Sequence, residues 1–296
     1  MQQVIVAVDG SPASLAALDW AIERSRHVEM AIDLVAVLWI PDAAFQTETE
    51  LRPFYEKTLH DAEEHVRRTA PRVRTSVNLV RGVPVNELVD FSTTASLLVV
   101  GSDKSSRLRG LVYGTIPLRL AALARCPLVV VPRVWKQHPG PVMLAVGEEP
   151  ATESADFAVA EAAARGAVLD LIHVWAASPI YPVPVAELHY PYTTIRDAHR
   201  DVLDAEKARI LAANPKLTVT DQLKEGPQIH VLVDAGERAQ LLVIARTGKG
   251  ILRELLLGSV AHDVLLNPPC PVAVVPTHAA LKKAAAAERL RKAPKA

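Results

Sequence analysis

The chain has 296 residues, and its 33 basic and 33 acidic side chains give no net charge when histidine is neutral. This length suits two domains of about 150 residues, and the balanced charge provides no overall field that would favour nucleic acid or an acidic membrane as a partner. The N-terminal sequence MQQVIVAVDG lacks the zones of a signal peptide, and no apolar run reaches membrane-spanning length, so we expect a cytoplasmic protein.

The first half alternates short apolar strands with helices. Its predicted strands are Val4–Val8, Leu34–Trp39, Val73–Val80, Leu97–Val100 and Leu128–Val131. Its predicted helices are Pro12–Val28, Glu48–Thr69, Val85–Ser92 and Ile116–Ala124, the first of them with Ser11 or Ser14 available as the N-cap. Continuously apolar strands are buried on both faces, which indicates an α/β fold with a parallel sheet and helices on both sides.

The strand pattern restarts after a polar, proline-containing segment, residues 134–141, which we interpret as a linker. The second set of predicted strands is Val142–Val146, Leu171–Trp175, Leu217–Leu223, Leu241–Ala245 and Val272–Val275. We therefore predict one domain over residues 1–133 and a second over 142–277. The basic, alanine-rich tail, residues 278–296, is predicted to be a frayed, solvated helix or disordered.

The two halves resemble each other most over 33 aligned positions, Val100–Pro132 and Ile244–Pro276. Gly114 aligns with Gly258 at a spacing of 144 residues, whereas the first strands of the halves are 138 residues apart. Self-similarity of this length predicts a duplicated domain. The six additional residues of the second copy are predicted to lie in its loop 176–192.

The last strands of the two copies are also alike. Leu128–Val131 and Val272–Val275 are apolar, so each would be an exposed sheet edge if its domain stood alone. We predict that these strands pair and make the chain an internal pseudo-dimer. Cys126 and Cys270 precede them at equivalent positions and are interpreted as small buried residues without a redox role.

Each copy places a glycine and a hydroxyl residue before a helix. Gly114 precedes Thr115, which we predict to be the N-cap of the helix from Ile116, and Gly258-Ser259 repeats the arrangement. Helix N-termini bind phosphate through free amides, and ligands of parallel α/β sheets collect beyond the carboxyl ends of the strands. From these residues alone, a phosphate site and a capped helix that binds nothing are both open.

Three motifs together are similar to those of the universal stress protein family in its tandem form. They are a first strand followed by Asp9-Gly10-Ser11, the spacing G-x2-G-x9-G-[ST] after a strand, and a closing C-P-[VL]-x-V-V-P. The resemblance covers residues 2–276. It implies a five-stranded parallel sheet of order 3-2-1-4-5 in each domain, a cytosolic stress-linked regulatory role and, where the glycine motif is complete, ATP binding.

The resemblance implies a nucleotide site in each domain. The aspartate after the first strand contacts the nucleoside, backbone at the end of the second strand lines the adenine pocket, and the glycine loop holds ribose and phosphates. The first site would comprise Ala7, Val8, Asp9, Val37, Gly101, Lys104, Gly114, Thr115 and Ile116. The second would comprise Val146, Val174, Ala245, Gly248, Lys249, Gly258, Ser259 and Val260.

Neither site matches the family pattern completely. In the first, Lys104 replaces the second motif glycine, and Asp103 beside it would repel a triphosphate unless a divalent ion intervened. In the second, Ala245 replaces the first glycine and Gly147 stands where Asp9 would be, with Glu148 or Glu149 as candidate substitutes. Its loop is nevertheless basic, with Arg246, Lys249 and Arg253.

We therefore expect an ATP-binding stress regulator, with Mg²⁺ as an optional companion and AMP or ADP as alternative ligands. Without an identifiable general base, hydrolysis is expected to be slow or absent. Homodimerisation of the pseudo-dimer and a regulatory protein partner are expected from the family. A nucleotide-free scaffold and a slow ATPase or nucleotidyl-transferring enzyme remain the alternatives.

Several other kinds of site are excluded by the motifs. The chain has no P-loop, no HExxH and no G-x-S-x-G nucleophile elbow. Its ten histidines are scattered, and we interpret them, the mid-strand His173 included, as surface or packing residues rather than metal ligands.

Overall fold

A computed structural model describes residues 1–40, 47–103, 115–176, 192–247 and 257–284. The first half contains β1 (Gln2–Ala7), α1 (Pro12–Arg24), β2 (Met30–Leu38), α2 (Glu48–Thr69), β3 (Arg74–Arg81), α3 (Pro84–Phe91), β4 (Leu97–Ser102), α4 (Thr115–Leu123) and β5 (Leu128–Pro132). The second contains β6 (Val142–Val146), α5 (Thr152–Arg165), β7 (Leu169–Trp175), α6 (Tyr192–Ala213), β8 (Val219–Glu225), α7 (Gln228–Gly236), β9 (Leu241–Arg246), α8 (Ser259–Leu266) and β10 (Val272–Pro276).

The ten strands form one sheet of order β3-β2-β1-β4-β5-β10-β9-β6-β7-β8. Each half is parallel and has the predicted 3-2-1-4-5 order. The halves meet where β5 and β10 pair antiparallel, with Val129 opposite Ala273. The predicted pairing of the last strands is therefore confirmed, and the paired strands are buried along their whole length.

Helices cover both faces of this sheet, as the continuously apolar strands predict. Residues of β1, β2 and β4 alternate between two large apolar clusters, one on each face, and the corresponding strands of the second half do the same. Each cluster runs through both halves, because the β5–β10 pairing makes the two cores continuous.

Local sequence signals account for most element boundaries. Ser11 is the N-cap of α1, with its side-chain oxygen accepting from the Ser14 amide at 3.1 Å. The helix ends at Arg24 and not at the predicted Val28, because the chain then forms tight turns. One of these turns is closed by a hydrogen bond from the Val28 amide to the Arg24 carbonyl. The second copy has the same elements, with α6 beginning 144 residues after α2 and β6 beginning at Val142.

A buried polar cluster lies where α1 and α5 approach each other across the two halves. Arg24 donates two hydrogen bonds to Glu161, at 2.9 and 2.6 Å, and both side chains are only 2% exposed. Arg165 donates to Glu23 at 2.9 Å and to Glu161 at 3.2 Å. Glu23 and Glu161 are equivalent residues of the two copies, so each carboxylate receives an arginine of the other half. Sequence patterns gave no indication of this cluster.

The two cysteines are buried, as predicted. Burial raises the pKa of both the Cys126 and the Cys270 thiol to about 12, so each thiol stays protonated at neutral pH. A protonated thiol is a poor nucleophile and metal ligand.

The start of the tail is better ordered than predicted. Residues 278–284 are helical, and Thr277 caps them by accepting from the Ala280 amide at 3.2 Å. Ala280 and Ala284 are 1% and 5% exposed, so one face of the helix is packed while the opposite face is exposed. The reason is its small alanine face, which allows close approach to the domain. Residues 285–296 lie outside the described part of the chain.

None of the helices within the described residues combines the length and the apolar character needed to cross a bilayer.

Glu161→Gln should destabilise the fold strongly, because it leaves Arg24 buried without a carboxylate. Removing one partner of a buried pair typically costs about 3–5 kcal/mol. The measurement is the free energy of unfolding in urea. Asp61→Asn is the matched control, since its partner Lys57 is exposed and such pairs contribute under about 1 kcal/mol. Equal losses in the two variants would contradict a structural role for the cluster.

Candidate functional site

A cavity of about 270 Å³ lies at the carboxyl ends of β6, β7 and β9, beside the first turn of α8. These strands are neighbours at the point where the strand order reverses, the usual place for a ligand in this architecture. All six predicted second-domain residues that the structure describes line the cavity, namely Val146, Val174, Ala245, Gly258, Ser259 and Val260.

The start of α8 forms one wall of the cavity. Gly258 is the N-cap, with φ −67° and ψ 154°, and as a glycine it has no side chain that could cap the helix. The prediction that Ser259 and Thr115 are N-caps is wrong by one residue, because each is the first residue of its helix. Extended backbone before the first helical residue defines the cap, and here that residue is Gly258.

Gly258 has no conformational need to be glycine, because its φ is negative. Among the described residues, a Cβ added there would meet no atom within 4 Å. The missing side chain therefore leaves open space in front of the α8 amides. A glycine that is required neither by backbone conformation nor by a protein neighbour fits close approach of a ligand.

Two polar residues of the cavity, Gln228 and Thr247, were not predicted. Gln228, the first residue of α7, donates from Nε2 to the Val174 carbonyl at 3.1 Å, and Thr247 follows the end of β9. Glu149 also lines the cavity and Glu148 does not, so only Glu149 is placed like the missing aspartate. The sequence feature that could have indicated Gln228 is the Gly226-Pro227 turn, because it places the start of a helix at this edge of the sheet.

The first domain arranges its predicted residues differently. Ala7, Val37 and Ile116 belong to the apolar cluster on one face of the sheet, whereas Val8 belongs to the cluster on the other face. Asp9 is exposed, and its Oδ1 accepts from the Ser11 amide at 2.9 Å, so this carboxylate closes the turn before α1.

Gly101 has a packing role that the motif reading missed. A Cβ at Gly101 would lie 2.2 Å from the carbonyl carbon and oxygen of Ala13 and 2.7 Å from the Ser14 amide nitrogen. The glycine allows α1 to contact β4 directly. Close packing between helix and strand thus accounts for this glycine, and its assignment to a phosphate loop stays a prediction.

Two charged residues near the predicted loops are also placed differently from the expectation. Arg246 is 1% exposed and points between the two domains, so it is not part of a basic phosphate loop. Asp103 forms an ion pair with Arg133 at 3.2 Å, which offsets the charge expected to repel a triphosphate. The predicted residues Lys104, Gly114, Gly248 and Lys249, together with Arg253, lie outside the described residues.

The comparison with known proteins agrees with this architecture. The family model described as Universal stress protein family matches residues 1–132 and 140–276, nearly the whole of both halves. The chain belongs to the universal stress protein family. Its tandem arrangement of two α/β domains with parallel sheets is that of this family.

Relatives include tandem proteins of similar length. Universal stress protein Rv2623 of Mycobacterium tuberculosis H37Rv is 29% identical over 287 residues, covering 92% of this chain and 95% of the relative. A universal stress protein structure from Archaeoglobus fulgidus DSM 4304 covers 93% of this chain and 96% of its own, with a TM-score of 0.67 and 16% identity. It shows that the fold spans both domains.

A solved structure of a shorter protein of this family contains a bound ligand. The universal stress protein family protein from Arabidopsis thaliana with AMP bound covers 47% of this chain and 97% of its own, with a TM-score of 0.34 and 22% identity. The AMP is a property of the Arabidopsis protein.

His173 in this universal stress protein is a packing residue, as predicted, and it contacts the wall of the cavity. Its Nδ1 bonds to the Val146 carbonyl at 2.7 Å and its Nε2 to His199 Nδ1 at 2.8 Å. The His199 ring in turn stacks on Trp175 at 5.1 Å. Burial lowers the pKa of His173; His199 lowers it further, while the Val146 carbonyl and Glu148 raise it.

Gly101→Ala should lower stability more than Gly258→Ala. The new Cβ at position 101 meets backbone that cannot rotate away, and overpacking of this kind costs about 1–3 kcal/mol. At position 258 the Cβ meets no atom of the described residues, and replacing an N-cap glycine costs under about 1 kcal/mol. The measurement is urea denaturation of both variants. A larger loss for Gly258→Ala would contradict the packing role of Gly101.

Lowering the pH should weaken the second domain through His173. The pKa of His173 is depressed in the folded state, so the unfolded chain binds more protons between that pKa and the ordinary value near 6.5. The stabilisation is present above about pH 6.5 and is lost as the pH falls toward the folded-state pKa, by at most about 1.4 kcal/mol per pH unit.

The test is the free energy of unfolding between pH 5 and 8. His173→Ala, which introduces the residue found at the equivalent position Ala36, should flatten the pH dependence. The control His230→Ala removes an exposed histidine and should leave the slope unchanged. A slope that His173→Ala does not alter would show that other groups cause it.

Proposed function

We propose that the second domain binds an adenine nucleotide in its cavity, and that the chain is an ATP-binding stress-response regulator with little or no hydrolysis. The observation that carries this proposal is the space that the described residues leave open at Gly258, in front of helix amides that this glycine cannot cap. An anion at such a terminus gains about 0.3–1 kcal/mol from the helix dipole.

The cavity lining suits a base and a sugar. Ile172, Val174 and Leu232 provide an apolar wall, and Gln228 adds a side-chain amide beside the Val174 carbonyl. The volume is near the lower limit of about 300 Å³ typical of ligand sites. It therefore suits the nucleoside, with the phosphates directed at the start of α8.

The charge of the lining bears on the form of the nucleotide. Glu149 is an acidic residue among the described lining residues, and none of these is a lysine or arginine. We propose that Glu149 contacts the nucleoside, as the aspartate does in the family pattern. The negative charge of the phosphates then has to be neutralised by Mg²⁺ or by the basic residues of 248–256. AMP and ADP are alternatives to ATP because they carry less charge.

The first domain is the weaker candidate. Its Asp9 closes a turn, and the space in front of its Gly101 is filled by the backbone of Ala13. These two observations favour the second candidate function for that half, a nucleotide-free scaffold. We propose that the first domain retains its fold and its share of the interface while binding nucleotide weakly or not at all.

The family further supports a cytoplasmic regulator that forms a homodimer and acts through a regulatory protein partner. Slow turnover is proposed because no histidine and only one carboxylate stand among the described lining residues of the cavity. A candidate base would otherwise need to lie within hydrogen-bond reach of the attacking water.

Titration calorimetry with ATP and Mg²⁺ should show one tight site per chain, and Gly258→Val should weaken that site at least tenfold. The valine side chain would occupy the space in front of the α8 amides, where a Cβ meets no atom of the described residues. The matched variant Gly114→Val alters the equivalent first-domain position and should leave the tight site unchanged.

The same samples distinguish the alternatives. Unaltered binding in Gly258→Val would place the tight site elsewhere, and a wild-type chain that binds none of ATP, ADP and AMP would establish the scaffold. Mass spectrometry of bound nucleotide over time tests turnover, since accumulation of ADP would contradict a non-catalytic regulator.

A further inference from the structure

Arg246, the last residue of β9, caps a helix of the other domain. Its guanidinium donates to three carbonyls at the end of α4, those of Ala121 at 3.1 Å, Ala124 at 2.8 Å, and Ala122. The last carbonyls of a helix have no partner within it, and a cation there also interacts favourably with the helix dipole. The second domain thus completes a helix of the first.

The contact runs from the second domain to the first, and the first domain has no equivalent arginine to return it. The residue of the first copy that corresponds to Arg246 is Ser102, 144 positions earlier, whose short side chain cannot make such a fork. Arg246 is 1% exposed, and burial together with the charge of Arg125 lowers its pKa to about 10, so it remains charged at neutral pH. A buried cation is costly to retain, and the three carbonyls offset that cost.

Arg246 lies between two residues of the wall of the second-domain cavity. The residues on either side of it, Ala245 and Thr247, both line the cavity. Its own carbonyl accepts from the Thr277 amide and hydroxyl, each at 3.2 Å, which fixes the backbone at this point. A ligand that contacts Ala245 and Thr247 therefore acts on the segment that holds the guanidinium.

The opposite end of α4 holds Thr115, a residue predicted for the first-domain site. The helix begins at Thr115, and its body packs against α8, whose first turn lines the second-domain cavity. Two contacts, the Arg246 cap and the α4–α8 packing, therefore connect the cavity to this one helix.

We propose that Arg246 is a positioning residue that couples the nucleotide site of the second domain to helix α4 of the first. The inference rests on the proposed nucleotide binding. A ligand that restricts residues 245–247 makes loss of the cap less favourable, and α4 then opens less often. Linkage is reciprocal, so changes at α4 also change nucleotide affinity at the second domain.

The test is amide hydrogen exchange of the full chain, with and without ATP and Mg²⁺, in a Gly114→Val background that removes direct binding at the start of α4. Protection of the first turn of α8 reports occupation of the cavity. Exchange of the amides 120–124 at the end of α4 reports the coupling, and we expect it to slow about fivefold or more, the lower end of common coupling factors.

The variant Arg246→Met keeps most of the side-chain volume and removes the cap. ATP should still protect α8 in this variant but should no longer slow exchange at 120–124. Arg246→Lys keeps the charge without the fork and should retain part of the effect, and it serves if the methionine variant does not fold. Arg238→Met, a change of an exposed arginine in the same domain, should behave as the parent chain.

The outcomes separate the two proposals. No protection of α8 by ATP in the parent chain would overturn the proposed function. Protection of α8 without any change at 120–124 would overturn the coupling and leave the nucleotide site standing. An undiminished effect at 120–124 in both Arg246→Met and Arg246→Lys would assign the coupling to the α4–α8 packing and remove Arg246 from it.

Discussion

The antiparallel pairing of β5 with β10 is the constraint on which the rest of the molecule depends. Both strands are apolar and buried throughout, so neither half has a stable free edge there. Joining them aligns the two sheets and makes both apolar clusters continuous across the chain. It also brings together helices of the two halves, α1 with α5 through the Arg24–Glu161 contact and α4 with α8 through packing.

Duplication conserved the framework and let the polar details diverge. The equivalent carboxylates Glu23 and Glu161 both lie in the interface, yet their arginines, Arg24 and Arg165, come from positions that are not equivalent. The residue equivalent to Arg165 is His27, which bonds to Glu23 at 3.0 Å. Both halves therefore keep an acid and a basic partner at the pseudo-twofold, while the chemistry of the base differs.

The sequence predicts the framework well because burial on both faces leaves a strong apolar pattern. The bounds of α2 and the pairing of the last strands follow from periodicity and edge protection. The roles of individual polar or small residues do not follow, because they depend on what tertiary packing places opposite them. Gly101 and Gly258 are both glycines of the predicted motif and cannot be told apart in sequence. In the structure Gly101 faces helix backbone, whereas Gly258 faces space that the described residues leave open. Arg246 likewise cannot be distinguished in sequence from a phosphate ligand.

The difference between the two sites has a local cause in the start of a helix. In the first domain α1 begins at Pro12, and its first turn occupies the space above Gly101. In the second domain α5 begins only at Thr152, two residues after the equivalent Pro150, so the loop before it stays open. Gly147, Glu149 and Ala151 of that loop then line a cavity, and Ala245 can carry a Cβ where Gly101 cannot. Within the described residues, a shift of two residues in one helix start thus separates the position at Gly101, which α1 fills, from the position at Ala245, which lines a cavity.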